Sequence, residues 1–319
     1  MTTTGSDPSH SSRTYCTLVE KCNNFIKADS ARQNCRRFIV DGRTVGFIRP
    51  VLLPYIEKDP DIFTVSTDGV ELNRSLKTFD ERSTAVAGVL EKWRHIQNPV
   101  MVSLKGWRGE TYYVRPSLHE PPLMKMERSG TCLFGTVQCG CHINGYTVDK
   151  GGEIHMWISQ RSSTKQTYPN MYDQLVAGGL TSGLGFRECA VKECGEEASI
   201  PPELLTNIKS CGTVSYIFED ERGVFPEIEF VFDLLLPEDF KPVCSDGEVQ
   251  GFQLVPISKV KEMIKDENFK PNSAVVALDF LIRHGFLSPD EEPRYSYLVE
   301  MMHLPLHTMF SSKDSHQLV

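Results

Sequence analysis

Three glutamates, Glu193, Glu196 and Glu197, stand at i, i+3 and i+4 in the segment from Lys192 to Ala198. On a helix this spacing puts all three on one face. Like charges four apart repel by roughly 0.2–0.5 kcal/mol on an exposed helix. Glu188, four residues before Lys192, is in the favourable order for a pair, but no nearby residue neutralises all three acids. A hard dication would: Mg2+ takes oxygen ligands, keeps several waters and bridges to phosphates, with Mn2+ as the alternative ion. The glycine-rich approach from Gly178 and Gly179 lets the backbone turn tightly and come close to a phosphate chain. From spacing alone, a solvated acidic helix face competes with metal binding.

Other residues offer supporting chemistry. Arg161 and Lys165, four apart in a loop after a strand, suit phosphate contact; the plain alternative is two surface cations with buried stems. Glu248, after Asp246-Gly247, is either a further site carboxylate or a polar turn residue. Trp157 and Tyr168 could stack on an aromatic heterocycle, although a strand Trp is more often core; Gln160 and Asp173 stay ambiguous. Cys139-x-Cys141-His142 lacks a second ligand pair at zinc-type spacing. It reads as strand residues running into a turn at Asn144-Gly145.

The whole segment from Gly178 to Ile200 resembles the Nudix box, G-x5-E-x7-R-E-U-x-E-E-x-G-U with U aliphatic. Gly178 fills the first position, Glu193, Glu196 and Glu197 the three metal-binding acids, and Ile200 the last aliphatic place. Leu184 replaces the first Glu, Lys192 the Arg, and Ser199 the late Gly. Lys192 keeps a salt bridge but loses the bidentate fork. Further stretches are similar to Nudix hydrolases related to the N-terminal half of fungal thiamine pyrophosphokinase proteins: Met156 to Pro169 with Asp173, the Ala198-Ser199 ending of the box, Gly212 to Tyr216, Phe232 to Phe240, Asp246 to Phe252, and Phe280 to Gly285.

That resemblance covers nearly the whole chain and carries several expectations. The fold is α+β: a Nudix α/β/α sandwich with a mixed sheet over residues 126–300, preceded by a smaller α+β domain over 15–125, a disordered tail over 1–14 and a C-terminal tail over 301–319. The implied activity is Mg2+-dependent cleavage of thiamine diphosphate-type substrates, preferentially oxidised forms such as oxothiamine and oxythiamine diphosphate, to the monophosphate and orthophosphate. Glu193, Glu196 and Glu197 would hold the metal. Glu196 or Glu197 would take the proton of the attacking water, with Glu248 the outside candidate. Arg161, Lys165, Gly178 and Gly179 would bind substrate. ADP-ribose or another nucleoside diphosphate derivative is the main alternative substrate, and a non-catalytic ligand-binding module the alternative of another class. Nudix-fold isopentenyl diphosphate isomerases share the Arg161-Ser162-x-x-Lys165-x-x-x-Pro169 loop. They look for a cysteine and histidines after the proline, and Tyr172 to Gly178 supplies neither.

These residues need elements to position them. Phe38 to Ile48 reads as two strands around Asp41-Gly42, and Phe63 to Leu72 as a second pair around Asp68-Gly69. Tyr15 to Asp29 fits a short helix and Thr78 to Ile96 a longer amphipathic one. A Pro-rich stretch, Pro116 to Pro122, places the boundary near 120–130. Strands are expected at 133–148, 153–159, 214–218, 227–233 and 252–255. Helices are expected at 186–198, 257–264 and 273–284, with a loop over 160–174 and another opening at Gly178-Gly179.

Composition sets the outer limits. Lys plus Arg number 34 and Asp plus Glu 42, a net charge of −8. That balance, without a long basic run, argues against nucleic acid as a partner. No apolar run approaches about 18 residues, so no membrane partner is expected. The polar start lacks an apolar secretory core, so the ten cysteines read as reduced and the protein as cytoplasmic. Its Ser/Thr content is weakly compatible with organelle targeting. The sequence leaves the oligomeric state open.

Overall fold

The computed structural model describes residues 14–27 and 34–311. The expected N-terminal tail, except residue 14, the end of the first expected helix and residues 312–319 lie outside them.

The N-terminal half is built on short-range signals. Strands β1 (Arg36–Val40) and β2 (Arg43–Ile48) close around Asp41 and Gly42, both at positive φ, as a primed two-residue turn requires. β3 (Phe63–Val65) and β4 (Val70–Leu72) form the second hairpin, and β4 lies parallel to β1 in a four-stranded sheet of order β2-β1-β4-β3. Short helices α1 (Tyr15–Cys22) and α2 (Leu53–Ile56) precede α3 (Phe79–Trp93). Thr78 caps α3 with a capping box closed by Glu81. Val86, Val89, Leu90 and Trp93 of α3 join Phe38, Val70 and Phe134 in one core. The ribbon β5 (Thr111–Val114) with β6 (Met124–Glu127) and the single-turn helix α4 (Thr131–Phe134) complete this half.

The second half holds a mixed sheet of order β11-β12-β7-β8-β13, with β10 paired to β7 and β9 to β8. Its strands are β7 (Gln138–Val148), β8 (Ile154–Arg161), β9 (Tyr172–Gln174), β10 (Val176–Gly179), β11 (Lys209–Asp220), β12 (Gly223–Leu235) and β13 (Val249–Pro256). β7 and β12 run parallel. Helix α5 (Phe186–Ala198) covers one face, where Cys189, Ala190 and Cys194 meet Trp157, Phe232 and Leu234. Helices α6 (Ile257–Met263) and α7 (Pro271–Arg283) cover the other, against Met156, Ile158 and Val231. Neighbouring residues thus point to opposite cores, the period-2 signature of a sheet buried on both sides. The result is the expected α/β/α sandwich.

Several expectations need correction. Residues 131–134 form α4 rather than the start of the long strand. Asn144-Gly145 is no turn: β7 runs straight through it. A Cβ on Gly145 would stand 2.1 Å from a Leu175 methyl, so the glycine makes room for core packing. Gly178-Gly179 closes β10 instead of opening a loop. Residues 172–174, expected in a loop, pair with β8. Helix α1, expected with the first domain, packs Leu18 and Val19 into the second core beside α7. Helices α8 (Tyr295–Met301) and α9 (Leu306–Ser311) follow, and the described part of the expected C-terminal tail is packed. Leu306, Met309 and Phe310 join Phe25, Phe47 and Ile217 in a small core that ties the two halves. No described helix is long and apolar enough to cross a membrane.

Candidate active site

A cavity of about 740 Å3 lies where the two halves meet, lined by α5 and the β10 glycines, by the 161–168 loop, by β11–β12, and by residues 102–132 of the N-terminal half. The halves are bonded at its rim. Ser182, in the loop that leads to α5, donates its N–H to the Thr111 carbonyl at 2.7 Å, and their hydroxyls lie 2.6 Å apart.

Helix α5 splits its three glutamates. Glu197 is buried, 6% exposed, and one carboxylate oxygen accepts the Ala177 N–H at 3.0 Å. Glu193 lies against Gly178, where a Cβ would fall 2.2 Å from its carboxyl carbon. Glu196 points outward and is held by Lys192 at 2.6 Å, with Glu193 3.2 Å from the same ammonium. Glu188 does not pair with Lys192 as expected. Its carboxylate accepts the Gly185 N–H at 2.9 Å and caps the helix. Ser199, in the box's late glycine position, takes a left-handed conformation with φ 50° and ends the helix. That is the conformation for which glycine is the easy residue.

Burial raises Glu197 to about 7, the Ala177 N–H and Lys165 opposing it, and burial likewise raises Glu193. Among the described residues no cation is in ion-pair contact with Glu197. An all-oxygen donor set with two desolvated carboxylates fits a hard dication. The three acids are not gathered within ligand distance of one another. Lys192 holds Glu196 on the outer side of the helix.

Lys165 reaches the cavity and pairs with Glu248, bringing two expected site residues together. Burial lowers Lys165 to about 8, with Arg161, Arg108 and Lys270 adding to the effect and Glu197 opposing it. Arg161 lines the same cavity and is held by the loop itself. Its guanidinium donates to the Thr167 and Tyr168 carbonyls and to Asp173, at 2.9, 3.0 and 2.8 Å, so it braces the loop that presents Lys165. Asp173 also meets Lys270 at 3.3 Å and Ser273. Trp157 is core, whereas Tyr168 lines the cavity. Gly179 is covered from the N-terminal half: a Cβ there would overlap the Tyr112 hydroxyl and approach the Arg128 guanidinium. Cys139 and Cys141 gather no metal-type cluster with His142.

Sequence reasoning missed two groups. Arg108 and Arg128 bring cations from the N-terminal half to the cavity. Arg128 pairs with Glu110 at 3.0 Å, while Arg108 has no ion-pair partner among the described residues. Burial and the neighbouring Arg128 push Arg108 below its usual value. The second group is a polar chain across the α7 face of the sheet. The Tyr216 hydroxyl lies 2.6 Å from Glu227 and 2.7 Å from Glu229. Glu229 meets His142 at 3.4 Å, and His142 meets Gln174. Gln174 donates to Asn144 at 2.6 Å, and Asn144 donates to Asp233 at 3.0 Å. Asp233 also accepts from Arg283 and contacts His284. The signal was in the sequence: Glu227-x-Glu229 alternates with Ile228 and Phe230, placing two acids side by side on one face of a strand.

Known proteins agree with this geometry. Residues 144–277 match the NUDIX domain, and residues 14–138 match a domain of unknown function, DUF4743. The chain is 38% identical over 283 residues to Nudix hydrolase 20, chloroplastic, of Arabidopsis thaliana, covering 86% of this chain and 74% of that protein. It is 38% identical over 280 residues to Nudix hydrolase 24, chloroplastic, of the same plant, covering 87% and 72%. An uncharacterized protein of Saccharomyces cerevisiae is 34% identical over 289 residues, covering 84% and 83%.

Proposed function

Because the chain belongs to the Nudix hydrolase family, we propose that it cleaves thiamine diphosphate-type substrates, oxidised or ring-damaged forms preferentially, to the monophosphate and orthophosphate. The observation that carries the reading is a cavity in which the α5 acids face cations from both halves. A diphosphate resists attack because its oxygens are negative. Mg2+, when bound by Glu193, Glu196 and Glu197, supplies the charge that lowers that barrier.

The chain's own residues do the rest. Lys165 and Arg108 grip the terminal phosphate. Water adds to its phosphorus, the bridging P–O bond breaks, and the bridging oxygen leaves with the monophosphate. Glu197, one oxygen fixed by the Ala177 N–H, takes the water's proton on the other. The Ala177 N–H fixes the carboxylate's orientation for that transfer. Glu248 holds Lys165 in place.

The substrate assignment also draws on the resemblance to thiamine pyrophosphokinase-related proteins, which runs through both halves of the chain. A nucleoside diphosphate derivative such as ADP-ribose is the second reading, favoured by a cavity of this volume. Cytoplasmic location belongs to the proposal, with an organelle, named in the two plant relatives, as its alternative. The test is chromatography of products from oxothiamine diphosphate, thiamine diphosphate and ADP-ribose supplied side by side with Mg2+. The highest kcat/KM is expected for the oxidised thiamine diphosphate. A preference for ADP-ribose would overturn the thiamine assignment.

A further inference from the structure

We propose that the β11–β12 face of the cavity is the subsite for the organic half of the substrate, with Glu227 the hydrogen-bonding group that recognises a planar nitrogen heterocycle bearing ring N–H or amino groups. Three observations place it there.

Tyr216, Phe218, Phe225 and Glu227 face the same way, because Tyr216 pairs with Glu227 and Phe218 with Phe225 in the antiparallel register. Phe218 and Phe225 stack with centroids 4.7 Å apart and planes within 5°, and both line the cavity with Glu227. Phe225 lies between Phe218 and the Arg222 guanidinium, 4.6 Å over its ring, so the pair presents the Phe218 side, two residues from Tyr216 and diagonally across from Glu227, to a polar ring.

The second observation is a proton count. The Tyr216 hydroxyl has one hydrogen, yet it stands within hydrogen-bond distance of two carboxyl groups. It can donate to only one. The other contact needs a proton on the carboxyl group itself. His142 beside Glu229 keeps that group ionised, so the proton belongs to Glu227, which has no ion-pair partner among the described residues. Burial, with Glu229 beside it, raises Glu227 to about 7, in agreement with this order. A carboxylic acid open to a cavity can donate to a ring nitrogen. As a carboxylate it can accept from a ring N–H or amino group.

The third observation joins this wall to the reaction end. A Cβ on Gly140 would fall 2.3 Å from the Glu229 carboxylate and 3.2 Å from the Gly178 carbonyl oxygen, while Gly178 itself makes room for Glu193. Glu229 and Glu193 therefore reach the same strand pair from opposite faces. Glu227, Glu193 and Glu197 nonetheless line one cavity, so a ring at Glu227 and a diphosphate at α5 share a continuous space.

This inference rests on the diphosphate hydrolase reading but assigns a separate part of the cavity. The test compares the full chain with Glu227→Gln and Phe225→Leu, with Mg2+, on thiamine diphosphate, oxothiamine diphosphate, ADP-ribose and isopentenyl diphosphate, which has no nitrogen ring. Glu227→Gln is expected to raise KM for the preferred heterocyclic substrate about tenfold or more, with kcat within about threefold and isopentenyl diphosphate kinetics unchanged. Equilibrium dialysis of thiamine monophosphate in EDTA reads the same loss without turnover. Unchanged KM and unchanged dialysis in Glu227→Gln would overturn the subsite, as would an equal loss on isopentenyl diphosphate in a variant with an unaltered melting temperature. A wild-type protein that prefers ADP-ribose overturns the thiamine reading alone, and a selective Glu227→Gln defect on ADP-ribose then still supports the subsite.

Discussion

The cavity has two acid pairs, and they are finished differently. Glu227 and Glu229 share the Tyr216 hydroxyl, and His142 neutralises Glu229, so that side keeps its own proton and its own cation. Glu193 and Glu197 are also desolvated, yet Glu193 meets only the exposed Lys192, which it shares with Glu196, and Glu197 has one backbone N–H and no ion pair among the described residues. Burying a carboxylate without a partner is costly unless it neutralises or binds a cation. On the proposed reading the closed pair forms a structural and recognition wall, whereas the open pair would hold an ion. Both pairs are largely buried and each has one cation; what sets them apart is that His142 and the shared Tyr216 hydroxyl are buried with their pair, whereas Lys192 stands in solvent.

Substitutions at Gly178 and Tyr216 separate the two pairs. Gly178→Ala puts a methyl where the Glu193 carboxyl stands. Displacing that acid by about 1 Å is expected to lower kcat roughly 100-fold, measured by orthophosphate release. Tyr216→Phe attacks the closed pair and leaves its carboxylates short of a hydrogen bond. It is expected to cost about 1–3 kcal/mol of stability in a denaturant titration, with Mg2+-dependent turnover retained.

Mg2+ sharpens the contrast. At 10–100 times its dissociation constant it should stabilise the wild type and Tyr216→Phe by about 1–3 kcal/mol. Glu197→Gln should lose most of that shift in the same thermal melts.

The smallest effect is in pH dependence, and the two limbs have opposite signs. Glu197, near 7 in the fold against about 4.3 in an unfolded chain, gives a contribution complete below about pH 4 and lost as pH rises through 7. Asp233 is held well below the usual carboxylate range: burial works against this, but His284, Arg283 and Asn144 prevail. Its contribution is present above about pH 4 and lost as pH falls. In EDTA, Glu197→Gln should flatten the alkaline limb of melting temperature against pH, and Asp233→Asn the acid limb.

Much of this was legible in the chain, for identifiable reasons. The Asp41-Gly42 hairpin, the long helix from Thr78 and the sandwich follow from local turn chemistry and the periods of apolar residues. The box segment forms the expected helix because glycines precede it and apolar residues mark one face. Other features depended on distant partners. Gly145 looked like a turn residue because Leu175, thirty residues away, is what requires its missing side chain. Arg161 read as a free loop cation because its partners, the Thr167 and Tyr168 carbonyls and Asp173, are set by loop folding. Arg108 and Tyr112 gave no signal, since only tertiary packing brings the N-terminal half over Gly179.

The most direct test of the account is single-turnover hydrolysis of oxothiamine diphosphate by wild type, Glu197→Gln and Glu227→Gln at saturating substrate and Mg2+. The open-pair assignment predicts a loss of about 10³-fold or more for Glu197→Gln and a rate within about threefold of wild type for Glu227→Gln. A Glu197→Gln protein that turns over at the wild-type rate, or a Glu227→Gln protein as inactive as Glu197→Gln with its fold intact, would contradict it.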